Sequence, residues 1–346
     1  MGRRWESVQE RMVKLLSHYR RRIAEKGVRG IISSRYSRYK ARCLRYINEV
    51  LVPEIAQRTW DFSGHVSLPD LSSSVHIGRL RYIQSIYEAP ECRNPDRLAH
   101  HLLSPPLRWL SRLQAKTQLS KLRGPFYYYL IARTKYYDQV FTDAIDRNID
   151  CIVNIGCGTD TRAYRFAEQL KSNGIRVVEC DQKASITAKQ QLAKRIWQTD
   201  HVTYVSVDLN DHGWPDLEHC LDAIPCTALV MLEGVSPYIN GTSFDKFLKI
   251  LVVKLHPGSV VAYDSKMRGF GFWSNPQRES RFRLPATKHD IIAYHEALGY
   301  RVQHLELSSE LSVRVLRNFA TFHTCPYAED VLLKLSIPAR TEETAN

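Results

Sequence analysis

From about residue 151 to residue 325 the chain alternates short apolar runs with amphipathic stretches. The runs CIVNIG (151–156), RVVECD (176–181), HVTYVSVDL (201–209), ALVMLEG (228–234), SVVAYDS (259–265), YRVQHLEL (300–307) and NFATFHTC (318–325) predict seven β-strands. Three-to-four spacing of apolar residues predicts helices between most of them, near 161–173, 184–197, 242–255 and 287–298. Strands and helices in alternation predict an α/β fold, a doubly wound seven-stranded sheet, with its last two strands antiparallel at an edge. Upstream, residues 76–150 read as a helical cap, interrupted at Pro90, Pro95, Pro105–Pro106 and Gly124–Pro125. Residues 61–75, with Gly64, Pro69 and three serines at 72–74, read as a linker. Residues 1–60 read as an N-terminal helical extension, with Val8, Met12, Leu15, Leu16 and Tyr19 on one face. The domain expected for ligand binding is 151–326, and 327–346 reads as a C-terminal tail.

Charge is concentrated in the extension. Residues 1–45 hold 14 Lys or Arg against three acids, a net of +11 out of +13 for the 346 residues. The rest is nearly balanced, so the chain reads as a neutral domain with a basic appendage. Within that appendage SSRYSRYKARCLRY interleaves tyrosine with arginine, a pattern suited to RNA or another anionic surface. The plainer reading is an amphipathic helical lid whose arginines are solvated and whose tyrosines pack inward, and charge runs usually are such faces. A membrane-surface role is weaker, because the apolar face has few Phe or Trp. Nucleic acid therefore stays open as a partner, as does an acidic protein surface.

No apolar run nears the ~20 residues that cross a bilayer. The opening MGRRWESVQERM lacks the apolar centre of a secretory signal, and Glu6, Glu10 and Glu25 count against a transit peptide. The eight cysteines form no CxxC pair and no metal spacing with histidine, so no metal is expected. Reduced cysteines in a cytoplasmic protein are the expectation.

The chemistry gathers at strand ends. Gly156-x-Gly158 breaks the first strand, and glycine there lets backbone pass close beneath a ligand. The next three strands finish near Asp181, Asp208 and Glu233. Ligands of open α/β sheets sit at such carboxyl ends, and a carboxylate closing the second strand can accept from both hydroxyls of a ribose. One acid could be a helix cap; three in order make that reading poor. Arg133, in the aromatic helix YYYLIARTKYYDQV, could hold a carboxylate in bidentate fashion or pair with Asp138 or Asp143.

RTKYYD (133–138), NIGCGTDTRAYR (154–165), VECDQ (178–182), VDLND (207–211) and LEGVSPYI (232–239) together resemble the leucine carboxyl methyltransferase family of S-adenosylmethionine-dependent enzymes. The resemblance covers roughly 75–325 and implies a Rossmann-like methyltransferase sheet with S-adenosyl-L-methionine as cofactor. It implies that Arg133 meets the methionine carboxylate while Gly156, Cys157 and Gly158 pass beneath. It implies Asp181, with Gln182 beside it, on the ribose, Asp208 on the adenine amino group and Leu209 on the ring. Glu233 would lie by the methionine ammonium at the methyl-transfer mouth, with Tyr238 near, and these two are the candidate catalytic residues. Cys157 and Thr159 stand where the family tends to show Ala and Leu, and Ser236–Pro237 replaces a more apolar pair. The expected activity is O-methylation of a carboxylate or hydroxyl on a small molecule or carrier-bound intermediate of secondary metabolism. A macromolecular acceptor, protein carboxyl terminus or tRNA, is the alternative, and a non-catalytic adaptor is a third. His212, His256 and His289 are candidate bases, none fixed by the sequence. GFGFWSNPQRESRFR (269–283) has the glycine and aromatic content of an acceptor lid.

Overall fold

The computed structural model describes residues 68–211, 213–268, 281–316 and 330–339. All fall in the second of the two units into which the chain divides, Ala56–Asn346. The basic extension 1–60 and most of the expected lid 269–283 lie outside the described residues.

Three helices come first: α1 (Leu68–Tyr87), α2 (Pro105–Leu122) and α3 (Pro125–Asp146). The prolines that punctuate the sequence open helices here, since Pro at a first helical position forfeits no intrahelical bond. Helix α1 starts at Leu68, inside the segment 61–75 expected to be a linker, so 68–75 are helical, and 61–67 lie outside the described residues. Along α3 both faces are buried, and Tyr127 to Tyr129, Tyr136, Tyr137 and Phe141 lie inside.

The sheet follows: β1 (Cys151–Ile155), α4 (Arg162–Arg165), α5 (Ala167–Ser172), β2 (Arg176–Asp181), α6 (Lys183–Ile196), β3 (Val202–Ser206), α7 (Pro215–Asp222), β4 (Ala228–Leu232), α8 (Gly241–Lys254), β5 (Val260–Lys266), α9 (Lys288–Ala297), β6 (Arg301–Leu307), α10 (Ser308–Leu316) and β7 (Asp330–Ser336). The strand order is β3-β2-β1-β4-β5-β7-β6. Strands β1 to β5 pair in parallel, and β7 runs antiparallel to both neighbours. The order reverses between β1 and β4, where a crevice opens at the strands' carboxyl ends.

Burial on both faces explains why β1 and β4 are apolar throughout. Val153 and Val230 point to the layer holding α7 and α8, while Ile152 and Leu229 point to the layer holding α3 and α10. Two helices escaped the sequence pattern, α7 and α10. Helix α10 packs on α3 through Leu311 and Leu316.

The seventh strand corrects the sequence reading. It is DVLLKLS (330–336), inside the expected tail; with β6 it forms the antiparallel pair expected at an edge of the sheet, β6 outermost and β7 next to β5. NFATFHTC lies outside the described residues. Position 331–333 is apolar on both faces because β7 is a central strand covered on both sides.

Candidate functional site

The turn after β1 has two glycines in left-handed backbone, Gly156 (φ 64°) and Gly158 (φ 37°). A Cβ on Gly156 would stand 2.4 Å from Val235 Cγ2, and one on Gly158 would stand 3.1 Å from Ser74 Cβ. The turn is thus pressed between the β4–α8 loop and α1. Cys157 N–H donates to the Cys180 carbonyl (3.0 Å), and Gly158 N–H donates to Asp181 Oδ2 (2.7 Å). Asp181 Oδ1 accepts from Gln182 N–H (2.8 Å). Its carboxylate therefore orients the turn rather than capping α6 from the side chain. Gln182 Nε2 donates to Asp208 Oδ2 (2.9 Å), which links the ends of β2 and β3. Leu209 is buried beside them.

Glu233 follows β4 and is enclosed by three arginines. Arg81 of α1 and Arg133 of α3 reach its Oε1, the latter at 3.2 Å, and Arg162 reaches Oε2 at 2.7 Å. Burial alone would push this carboxyl up, but Arg81, Arg162 and Arg133 outweigh it and hold it down to about 2. Glu233 is therefore an ionised acceptor and a poor proton base. Arg133 bridges Glu233 and Asp264 (3.4 Å), so neither partner weighed from sequence, Asp138 or Asp143, is its own. Asp138 instead takes Arg162 and Arg165.

Arg162 is 0 % exposed and donates to Asp138, Asp160 and Glu233. Asp160 also accepts from Asn154 of β1 (3.0 Å). Asp264, on β5, accepts from Gly234 N–H (2.8 Å) and the Tyr137 hydroxyl (2.8 Å). Burial raises its carboxyl to about 6, although Arg133 opposes the rise. Beneath the turn, buried Lys189 donates to Glu179 (2.7 Å) and to the Cys157 carbonyl (3.3 Å).

The glycine turn and the strand-end acids, with Arg81, Arg133, Asp160 and Asp264 of this network, line one cavity of about 350 Å³, within the range of small-molecule and cofactor sites. It collects Arg133, Gly156, Cys157, Gly158, Asp181, Gln182, Asp208, Leu209, Glu233 and Tyr238. Tyr238 is 45 % exposed at the mouth, with the Arg281 guanidinium 5.9 Å from its ring centre. His256 and His289 are exposed and line no part of the cavity, and His212 lies outside the described residues.

The sequence reading missed Arg81, Arg162, Asp160 and Asp264. Arg162 and Asp160 sat inside the quoted motif TDTR. Asp264 lies two residues before the end of β5, so the strand-end rule that picks out Asp181 also points to it. Arg81 carried no signal, because only folding brings α1 to Glu233.

The family description "leucine carboxyl methyltransferase" matches residues 82–252. These residues belong to the leucine carboxyl methyltransferase family. A Mycobacteroides abscessus protein, provisionally named an S-adenosyl-L-methionine-dependent methyltransferase, is 27% identical over 201 residues, covering 54% of this chain and 64% of its own length. A Mycobacterium tuberculosis protein of the same name is 31% identical over 160 residues, 45% of this chain and 49% of its own length. The chain thus spans about half to just under two thirds of these curated relatives. A solved S-adenosylmethionine-dependent methyltransferase from Mesorhizobium loti is 12% identical with a TM-score of 0.38, over 56% of this chain and 96% of that one. Within the family match lie α3, the glycine turn, Asp181, Asp208, Glu233 and Tyr238. Among the described residues no His, Cys, Asp and Glu group could hold a metal, and no helix is long and apolar enough to cross a membrane.

Proposed function

We propose that the chain is an S-adenosylmethionine-dependent O-methyltransferase. Its acceptor is a carboxylate or hydroxyl of a small molecule or a carrier-bound intermediate of secondary metabolism, and its place of action is the cytoplasm. The observation that carries the reading is one cavity holding, in strand order, a glycine turn, Asp181, Asp208 and a Glu233–Arg133 pair. The cofactor fits the chemistry of these donors. The turn has no room for a Cβ at Gly156, so backbone can lie against a nucleoside. At one end stand carboxylates for hydroxyl and amino hydrogens, and at the other an acid and an arginine for a zwitterion.

When bound, S-adenosylmethionine supplies a methyl on an electrophilic sulfonium. Asp181 accepts from the ribose hydroxyls, Asp208 from the adenine amino group, and Leu209 covers the ring. Arg133 pairs with the amino-acid carboxylate and ionised Glu233 accepts from the ammonium. Tyr238 flanks the mouth and helps to exclude water. The chain's task is alignment and exclusion of solvent. An acceptor carboxylate, ionised near neutrality, needs no base. Because Glu233 is so weakly basic, deprotonation of a hydroxyl acceptor would fall to another group.

The test is transfer of labelled methyl from S-adenosylmethionine into a host-cell extract separated into small-molecule, protein and RNA fractions. Label in the small-molecule fraction supports the reading, and base lability separates ester from ether. The basic segment 1–45 favours a second reading, a macromolecular acceptor, and label in RNA or protein would adopt it in place of the first.

A further inference from the structure

An ion pair is sealed beneath the glycine turn. The side chains of Lys189 on α6 and Glu179 on β2 are 1 % and 0 % exposed and meet at 2.7 Å. Neither lines the cavity. The other Glu179 oxygen accepts from the Tyr164 hydroxyl (2.8 Å), which meets the Tyr204 hydroxyl at 3.0 Å. Stability alone gives little reason for such a pair, since apolar side chains of similar volume often serve a core as well or better. An apolar side chain cannot donate, however, and Lys189 Nζ has a second acceptor, the Cys157 carbonyl at 3.3 Å.

That carbonyl belongs to the Cys157–Gly158 peptide. It also accepts from Asp160 N–H (2.7 Å), and the N–H of the same peptide donates to Asp181 Oδ2 (2.7 Å). In a planar trans peptide the C=O and N–H point in opposite directions, so a donor holding the one fixes the aim of the other. With glycine at 156 and 158, little side-chain bulk restrains this plane. Lys189 supplies the restraint from the layer below.

We propose that Lys189 is a positioning residue for S-adenosylmethionine: it clamps the Cys157–Gly158 peptide and, through Gly158 N–H, holds the Asp181 carboxylate in line for the ribose hydroxyls. This rests on the proposed function and extends it to a side chain that acts only through the turn. Cofactor affinity then follows the presence of the ammonium, whereas stability follows the pairing of the two charges.

The experiment is urea denaturation and calorimetric titration of wild type, Glu179→Gln and the double variant Lys189→Met/Glu179→Gln. The ligands are S-adenosylhomocysteine and its 2′,3′-dideoxy form, which lacks both hydroxyls that Asp181 would accept from. Glu179→Gln leaves a buried ammonium without its carboxylate, so the double variant, with neither charge, is expected to be the more stable of the two. It is nevertheless expected to bind S-adenosylhomocysteine roughly tenfold more weakly than Glu179→Gln does, the worth of one well-made hydrogen bond, and the dideoxy ligand within about twofold of it. Affinity that recovers along with stability in the double variant would make Lys189 a merely structural residue and overturn the inference, as would equal weakening of both ligands. If Glu179→Gln does not fold, the double variant against wild type decides by the ligand comparison alone. Wild type that does not bind S-adenosylhomocysteine would overturn the proposed function itself, and this inference with it.

Discussion

Gly156→Ala tests the closeness of the glycine turn. The residue has φ 64°, a left-handed conformation that costs an L-residue roughly 1–2 kcal/mol. Its new Cβ would stand 2.4 Å from Val235 Cγ2 and 3.0 Å from Cγ1, where carbon contacts settle at about 3.5–4.0 Å. Val235 is β-branched and stiff at χ1, so relief requires an off-rotamer side chain or a backbone shift, adding ~1–3 kcal/mol. The expected loss is about 3 kcal/mol, read by urea denaturation, together with weaker S-adenosylhomocysteine binding as Val235 is driven into the cavity it lines. The double variant with Val235→Ala separates the two causes. It should lose ~1–2 kcal/mol less than the sum of the single changes, because only the conformational cost survives. Strict additivity would mean that the turn does not press on Val235, and the reasoning about the cradle would fail.

Arg162→Met leaves Asp138, Asp160 and Glu233 without their shared cation, and loss of ~3–5 kcal/mol or failure to fold is expected, checked by soluble yield and thermal melting. Asp181→Ala removes the acceptor for Gly158 N–H and the one proposed for the ribose, so titration should show S-adenosylhomocysteine at least roughly tenfold weaker. Asp264 titrates near 6 in the folded chain against 3.8 as its ordinary value, so ionisation disfavours the folded state. Its contribution falls as pH rises from about 4 to about 6, and Asp264→Asn should flatten stability over that window. A thiol reagent should meet exposed Cys226 before buried Cys157 and Cys180, so Cys226→Ser removes one fast-reacting equivalent and Cys180→Ser none.

The parallel half of the sheet was legible because strands covered on both faces read as apolar runs, and the acids that line the cavity follow their termini in order. β7 was not. Its Lys334 interrupts the run, and antiparallel insertion between β5 and β6 is a non-local pairing that no local pattern announces. The site divides in the same way. Gly156, Asp181, Asp208 and Glu233 are fixed by neighbours in sequence, and Arg133 sits in a quoted motif. Arg81, 152 residues from Glu233, belongs to the site only through tertiary packing. Asp138 shows the converse: read beside Arg133 in sequence, it pairs across space with Arg162 and Arg165.

The most direct test of the account is calorimetric titration of the purified chain with S-adenosylmethionine. The account predicts one site per chain with a dissociation constant of the order of micromolar, lost or greatly weakened in Asp181→Ala. No binding to wild type at several hundred micromolar, or binding that Asp181→Ala leaves unchanged, would contradict it.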